Sequence, residues 1–424
     1  MSSLNNENVI YYLIKLWNNE DIQISMKKYY MKKKNNNNNN IIIDDNITYY
    51  GIELEKDLLI KNMRNNEMKL VLKYQSSNDN IKKNIIKTLY NNVFPKHKKG
   101  DITNPENFRY LTNHDNVIKY LDRKWSINIL ILLHNKLPNP DIFKCPLKKK
   151  LYKSVLNVAT HNTESIDNVV LLDITKAFDS LEWNIIYELL LSNLSKKIDP
   201  ILALKLVNEY MIILRNRKIY YNNILIPISK GISTGLPSST IIYTFIMEEI
   251  VFRWINIYNY TEYILNIYVD DIYFKIINIK NARQIISSFI NNLEIYKLII
   301  NKKKSKADKQ LKLKLKKLKN TDFYLGIPFT RDITLYGSLI LTNYNQRNNT
   351  NINMNILYKK LLSNDISIYG FLYYKMAPLI KNINKNKILY FIYNNYINYN
   401  NLYNLHLILI FCIILILIII IKIA

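Results

Sequence analysis

Two adjacent carboxylates, Asp270 and Asp271, sit inside the apolar run from Tyr263 to Ile277. Their neighbours are Ile, Tyr, Val and Phe, residue types that favour a half-buried pleated strand. Charge is costly in such surroundings unless it is paired or bound to a metal. The pattern predicts a strand, a tight turn carrying both carboxylates, and a second strand from Ile272. Alone, these residues leave two readings open: an ordinary acidic hairpin turn, or an oxygen-ligand site for a divalent cation at a sheet edge. A third carboxylate bears on the choice. Val169 to Leu172 is a continuous apolar strand of the kind buried on both faces, and it ends on Asp173. Next to Asp270 and Asp271 on a neighbouring strand, Asp173 completes a three-carboxylate cage for two Mg2+ ions, with Mn2+ as a substitute. Such a pair activates an attacking 3′-hydroxyl and stabilises a leaving pyrophosphate. Asp179 carries a different expectation. With Glu182 three residues on, it reads as the N-cap of a capping box that opens a helix at Trp183.

The elements that must position this chemistry lie on either side. Val93 to Asp101 carries Pro95, Lys96, His97, Lys98, Lys99 and Gly100, and Pro105 to Leu111 carries Arg109. A strand leaves into a basic turn and returns as a second strand bearing an arginine. Lysine as a mobile point charge and arginine as a planar fork would close over a triphosphate from the two arms; a solvated basic hairpin is the plainer alternative. Lys230 to Thr240 holds two of the seven glycines, Gly231 and Gly235, with Thr234, Pro237, Ser238 and Ser239, and runs into an apolar helix from Ile241. Glycine permits close backbone approach, so this loop would support a template base or sugar, or be a loop and helix cap only.

The chain has 424 residues, enough for two to four subdomains. Gly is scarce, Asn, Ile, Lys and Tyr are abundant, and Asn35 to Asn40 is an uninterrupted run. This is the coding signature of an AT-rich genome, which weakens any argument from Tyr or Lys counts. A net charge of +26 nevertheless fits a polyanionic partner, nucleic acid or an anionic membrane surface. The two cysteines, Cys145 and Cys412, exclude a disulfide framework, a disulfide-linked partner and a Cys-rich zinc module. They are compatible with a reducing, intracellular compartment: mitochondrion or another organelle, nucleus or cytoplasm. The first residues lack the features of a secretory signal or transit peptide. At the other end, Leu407 to Ile421 is wholly apolar. As a helix it would reach about 22 Å, near membrane-spanning length only if extended to Leu405 and Ile423. A tail anchor and a buried terminal helix are both open.

Taken together, Leu171 to Asp179, Gly231 to Ser239 and Tyr268 to Asp271 resemble motifs A, B and C of reverse transcriptases, in that order. Pro95 to Asp101 with Pro105 to Arg109 is similar to the fingers motifs of the non-LTR retrotransposon and group II intron lineage. Leu298 to Ser305 resembles motif D, and Phe323 to Pro328, with Leu325 and Gly326, the primer-grip region. The resemblance implies an α+β right-hand polymerase: fingers, a palm with an antiparallel sheet, and a small helical thumb. Its expected layout is an N-terminal extension over 1–85, fingers and palm over 86–330, a thumb over 331–404 and an apolar tail over 405–424. It implies Asp173, Asp270 and Asp271 as metal ligands, and Lys96, Lys98, Arg109, Phe178, Gly235 and Lys304 around the nucleotide. Phe178 falls at the steric-gate position, which favours dNTPs. Thr234, Pro237, Ser239, Tyr268, Leu325 and Gly326 fall on the template and primer side. Expected partners are an RNA template, a DNA or RNA primer and dNTPs, with membrane contact through 405–424. The gene would belong to a mobile element or an organellar or plasmid-like reading frame.

This sequence departs from the family pattern at Thr234, where Gln is usual, and at Thr240, where Pro is usual. The Phe-Arg-x-Gly-Arg stretch that precedes motif A is missing between Pro138 and Val155. No Glu follows Glu294, which argues against a C-terminal RNase H site, and no endonuclease motif is found. Residues 302–319 hold ten lysines, with Leu311, Leu313, Leu315 and Leu318 between them. They predict a basic-faced exposed strand near template and primer, or a solvated charge run. The leading expectation is RNA-directed DNA polymerisation. Its alternatives are an impaired reverse-transcriptase fold that binds RNA in splicing or a ribonucleoprotein, and a basic membrane-anchored scaffold.

Overall fold

The computed structural model describes residues 6–17, 48–49, 52–53, 63–98, 100–133, 136–139, 141–143, 167–258, 261–324 and 327–329, with short pieces between 338 and 351. The chain divides into two compact units, 1–154 with 166–319, and 155–165 with 320–424. In the second unit the described chain is a minimal hairpin, Phe323–Tyr324 paired with Ile327–Pro328. Apart from those short pieces, the expected thumb over 331–404 lies outside the described residues, as do the apolar tail, Leu325 and Gly326. Among the described residues no helix is long and apolar enough to cross a membrane.

The first unit opens with α1 (Asn6–Trp17), a two-residue ladder of β1 (Thr48–Tyr49) and β2 (Ile52–Glu53), α2 (Asn65–Ser76) and α3 (Asp79–Thr88). The spacing of Val9, Ile10, Leu13, Leu16 and Trp17 gives α1 one apolar face, and all five are buried. Asn78 caps α3 by accepting from the Ile81 amide at 3.1 Å. Next come β3 (Tyr90–His97), β4 (Phe108–Asn113) and α4 (Asn116–Leu132). β3 and β4 pair antiparallel with Lys96 opposite Arg109, which is the basic hairpin expected from the sequence.

The palm begins at β5 (Val169–Asp173), followed by the short α5 (Ala177–Ser180), α6 (Trp183–Ser195) and α7 (Pro200–Asn216). Asp199 caps α7, and Pro200 occupies its first position, where a missing N–H costs nothing. β6 (Lys218–Tyr221) and β7 (Ile224–Ile226) return to the fingers, completing a four-stranded sheet in the order β4-β3-β6-β7. The chain continues through α8 (Ser238–Tyr258), the hairpin of β8 (Tyr263–Tyr268) and β9 (Asp271–Ile276), α9 (Ala282–Ile295), β10 (Lys306–Ala307) and β11 (Lys316–Lys317). The palm sheet runs β11-β10-β5-β9-β8, antiparallel except for β10 with β11. The palm and fingers of a right-hand polymerase are thus both present.

The described helices of the 1–85 extension pack on the rest of the unit, and one sequence expectation, on 302–319, is corrected. α1 shares a core with Val93, Phe108, Tyr110, Ile219 and Ile226 of the fingers sheet. Val71 and Tyr74 of α2 and Ile85 and Ile86 of α3 pack with Val117, Ile118 and Leu121 of α4 and Ile212 and Ile213 of α7. The stretch 302–319 is not one exposed strand. It breaks into two two-residue strands around a 3-10 turn, because Leu311 and Leu318 turn inward and are buried.

α8 carries buried residues on every side, as expected for a helix through the middle of a core. It packs against α6 and α9. Near its end Trp254 is fully buried, with Phe274 of β9, Phe289 of α9 and Tyr263 of β8 within 5.0–6.2 Å of its ring, and its indole N–H donates to Ser288 Oγ at 3.0 Å. Glu249, one turn earlier and also buried, accepts from Lys196 at 2.7 Å, Ser192 at 2.8 Å and Arg253 at 3.0 Å, so its charge is compensated on three sides. The Trp254→Ala variant should lose roughly 3–5 kcal/mol of stability through the lost burial and the cavity left between sheet and helix. A lowered urea midpoint with an unchanged slope is the expected reading.

Candidate active site

The palm sheet brings the predicted carboxylates to one end. β5 and β9 pair so that Asp173 stands directly opposite Asp271, and Tyr268 pairs with Asp271 across the β8–β9 hairpin. Val269 and Asp270 form the two-residue turn, with Val269 at φ 57. A β-branched side chain is disfavoured in that left-handed region, so the turn is strained, and its strain sits beside the carboxylates. Directly opposed like charges repel. Burial and the charge of Asp173 hold the Asp270 carboxyl above the ordinary range, while Arg109 and Lys304 pull it back.

Asp173 is held by the 299–305 segment that runs beside it. Its amide donates to the hydroxyl of buried Ser305 at 3.0 Å, and its carbonyl accepts from the Asn301 amide at 2.7 Å. The same segment brings Lys304 Nζ to 3.4 Å from Asp173 Oδ2. That distance makes an ion pair but not a hydrogen bond, and buried Oδ2 has no hydrogen-bond partner. An acceptor left in this state suits a hard cation. Asp271 is exposed at the start of β9, and among the described residues no three His, Cys, Asp or Glu side chains are grouped closely enough to enclose a metal. Asp173 and Asp270 form the floor of the site, and Asp271 stands opposite Asp173 at its solvent edge. This still fits Mg2+, which is usually held by one or two carboxylates together with substrate phosphate and water.

Cations gather above this floor. Lys98 follows β3, and its amide donates to the Asn107 carbonyl at 2.9 Å. Burial lowers its ammonium below the usual lysine range, and Arg109, Lys304 and Lys176 lower it further. Asp179 acts on the same group with the opposite sign. The expected N-cap role of Asp179 is corrected. Glu182 caps α6 instead, without a side-chain bond, whereas Asp179 Oδ1 accepts from the indole N–H of Trp17 at 2.8 Å. Burial holds its carboxyl above the ordinary range, and the Trp17 bond and the charges of Lys176, Lys98 and Arg109 oppose that shift. Lys96 is exposed opposite Arg109.

Phe178 projects from α5 and lies on the ring of Tyr243, centroids 4.9 Å apart, while its carbonyl accepts from the Ile232 amide at 2.8 Å. Tyr243 is fully buried, its hydroxyl has no hydrogen-bond partner, and Asp270 acts on it electrostatically. Sequence reasoning passed over Tyr243, Ser305 and Trp17, because each looks like an ordinary residue in its local pattern.

The 231–239 loop is fixed to the fingers. A Cβ on Gly235, at φ 100, would come 2.6 Å from the Thr112 carbonyl oxygen. Thr234 Oγ1 donates to the Tyr110 carbonyl at 3.0 Å, and Ser239 is buried and donates to the Ser233 carbonyl. The side chains of Thr234 and Ser239 thus hold the loop in shape. Gly235 is exposed, Pro237 and Tyr268 are partly so. Buried Asp122 of α4 accepts from the amide and the hydroxyl of Ser238, fastening the start of α8 to the fingers.

Two predictions follow from this loop's attachment. Gly235→Ala forces both a left-handed alanine and a backbone collision, and should cost roughly 1–3 kcal/mol in a urea melt. Burial pushes the Asp122 carboxyl up to about 6, against the Ser238 bonds and the Arg217 charge. A carboxyl raised on folding favours the fold below its unfolded value of 3.8 and loses that contribution as pH rises through about 6. The stability difference between wild type and Asp122→Asn should therefore change across that window and stay flat above it.

A family match agrees with this geometry. The family described as reverse transcriptase (RNA-dependent DNA polymerase) matches residues 96–328. No curated protein matches the chain. Among solved structures, the apo telomerase of Candida tropicalis truncated from its C-terminal domain is similar at 16% identity and a TM-score of 0.37, over 51% of this chain and 49% of that one. The telomerase of Candida albicans in complex with a fragment of telomeric RNA is similar at 10% identity and a TM-score of 0.37, over 57% of this chain and 44% of its own. The chain thus spans about half the length of either telomerase, and the assignment rests on the family match. That match covers more than half of the 424 residues and takes in the carboxylate floor, the cations of the hairpin and the glycine loop; the chain belongs to the reverse transcriptase (RNA-dependent DNA polymerase) family.

Proposed function

We propose that this chain copies RNA into DNA, joining dNTPs to a primer 3′-hydroxyl by two-metal nucleotidyl transfer. The observation that carries the reading is the convergence of Arg109 and Lys304 on the sheet end that carries Asp173 and Asp270, with Lys98 near enough to feel both cations. A triphosphate needs cations along its length and oxygen ligands beneath its α-phosphate, and both are supplied at one sheet end. Asp173, Asp270 and Asp271 would hold Mg2+ or Mn2+, which when bound supplies activation of the 3′-hydroxyl and neutralisation of the leaving group.

The chain's own residues do the rest. Lys98 and Arg109 bind and orient phosphate oxygens, arginine through its fork and lysine as a point charge. As the 3′-oxygen bonds to the α-phosphorus, the bond from that phosphorus to the bridging oxygen breaks, and negative charge passes to pyrophosphate. Lys304 stands beside Asp173 to meet that charge. The Phe178 ring, backed by Tyr243, forms a wall where a ribose 2′-hydroxyl would collide, so dNTPs are preferred. The 231–239 loop supports the template, and the net charge of +26 favours a nucleic-acid duplex over the whole surface. The AT-rich composition supports an origin in a mobile element or an organellar or plasmid-like reading frame.

Primer extension on an RNA template in Mg2+ or Mn2+ tests this. Wild type should extend the primer with dNTPs, and Asp270→Ala should fall to background. Phe178→Ala should admit rNTPs at least about tenfold better relative to dNTPs, the discrimination expected from one steric contact. If wild type and Asp270→Ala are equally inactive while RNA binding stays tight, the polymerase reading is wrong and an RNA-binding role replaces it.

A further inference from the structure

Helix α1 lies outside the residues that match the family, yet it ends at the cationic pocket. Trp17 is buried, and its indole N–H is the hydrogen-bond donor that reaches Asp179 Oδ1, 162 positions along the chain. The Trp17 carbonyl is fixed as well, accepting from the amides of Ser229 at 2.8 Å and Lys230 at 3.1 Å, just before the glycine loop. One helical turn earlier, the Tyr12 ring lies beneath Lys176 Nζ at 4.8 Å and against the Tyr110 ring at 5.4 Å. The other side of Asp179 is closed by Gly231, where an added Cβ would be tight, 3.3 Å from both the Asp179 Cα and its carbonyl oxygen.

The electrostatics give this contact a purpose. Lys98, Arg109 and Lys176 all act on Asp179, and they repel one another across the same space. Three cations that must grip one triphosphate are drawn apart in its absence unless an anion holds them. Asp179 is that anion. A carboxylate on a mobile side chain would follow the cations, whereas one tied to a buried indole holds them in place. A rigid arrangement needs no reorganisation when the ligand arrives, and affinity gains accordingly.

We infer that α1 is a positioning element of the nucleotide pocket: through Trp17 it fixes Asp179 as the counter-ion that keeps Lys98, Arg109 and Lys176 in register for a triphosphate. The inference rests on reading that pocket as the nucleotide site. It assigns Trp17 and Asp179 a role in substrate affinity and none in the bond-making step.

The test is equilibrium binding of inorganic triphosphate and of dGTP to the full chain without divalent metal, followed by steady-state primer extension. Trp17→Phe keeps the ring and removes only the N–H donor. It should weaken binding of both ligands about tenfold and raise the KM for dGTP by a similar factor, while kcat stays within about twofold; loss of a charge-assisted hydrogen bond sets that scale. Asp179→Asn should weaken binding at least as much despite removing a negative charge. The double variant should be no weaker than Asp179→Asn alone, because the two residues act through one link. Wild type that binds neither ligand would overturn the nucleotide-site reading itself. Wild type that binds, with Trp17→Phe equal to it or tighter, would overturn only the role of α1, as would losses in the two variants that simply add. If Trp17→Phe does not fold, Asp179→Asn decides: its amide oxygen still accepts from the indole, so unchanged or tighter binding would sink the inference.

Discussion

Like charges packed at the end of an apolar sheet repel each other, and that repulsion has to be answered by the surrounding chain. Asp173, Asp270 and Asp271 meet there because the β5–β9 register and the β8–β9 turn leave them nowhere else to go. Arg109 and Lys304 answer the carboxylates, and Asp179 in turn answers the cations. The site is therefore a layered set of opposite charges, each layer carried by a different element. The fingers hairpin, the 299–305 segment, α5 and α1 are all held to the palm partly by what they contribute to this balance.

Much of this was legible before any coordinates. Val169 to Asp173 reads as a buried strand ending on a carboxylate, and so it is. Lys96 and Arg109 read as two arms of a basic hairpin, and they face each other in the ladder. The acidic turn needed only the strand periods on either side of it. What sequence reasoning missed depends on distance along the chain or on burial. Trp17 looks like one more apolar residue on a helix, and its partner lies far away in sequence. Asp179 looks like a cap because Glu182 follows at the right interval, but it lies inside the short α5, which ends at the extended Leu181, and the next helix starts at Trp183 with Glu182 as its cap. Ser305 acts through a hydroxyl and Tyr243 through its ring against Phe178, contacts that no local pattern reports. The lysine-rich stretch misled because its leucines alternate like a strand while packing as anchors.

The fingers show how an apparent extension becomes structure. α1 fills one face of the β4-β3-β6-β7 sheet, and α2 and α3 fill the space between α4 and α7. Buried Asp122 then joins α4 to the start of α8, so the fingers and the central palm helix share a hydrogen-bonded corner. That corner, with the Thr112 and Tyr110 carbonyls, sets the height of the glycine loop above the carboxylates. A shift in the fingers is thereby passed to the loop through backbone contacts, with no long side chain in between.

The left-handed backbone positions carry a record of the genetic code. Asn168, Asn222, Asn223, Lys176, Lys297 and Lys312 occupy conformations for which glycine is the ordinary choice, and so does Val269. Asparagine and lysine are spelled with adenine-rich codons and glycine with guanine-rich ones, so a drift in base composition would replace one by the other wherever space allowed. The glycines among the described residues, Gly100, Gly231 and Gly235, are the ones where an added carbon would strike Asn107, Asp179 or Thr112. In such a chain the rarity of a residue becomes information: glycine is left where φ reaches 89–100 and a neighbour crowds the missing side chain, while Asn, Lys and Val fill the positions at φ 48–65.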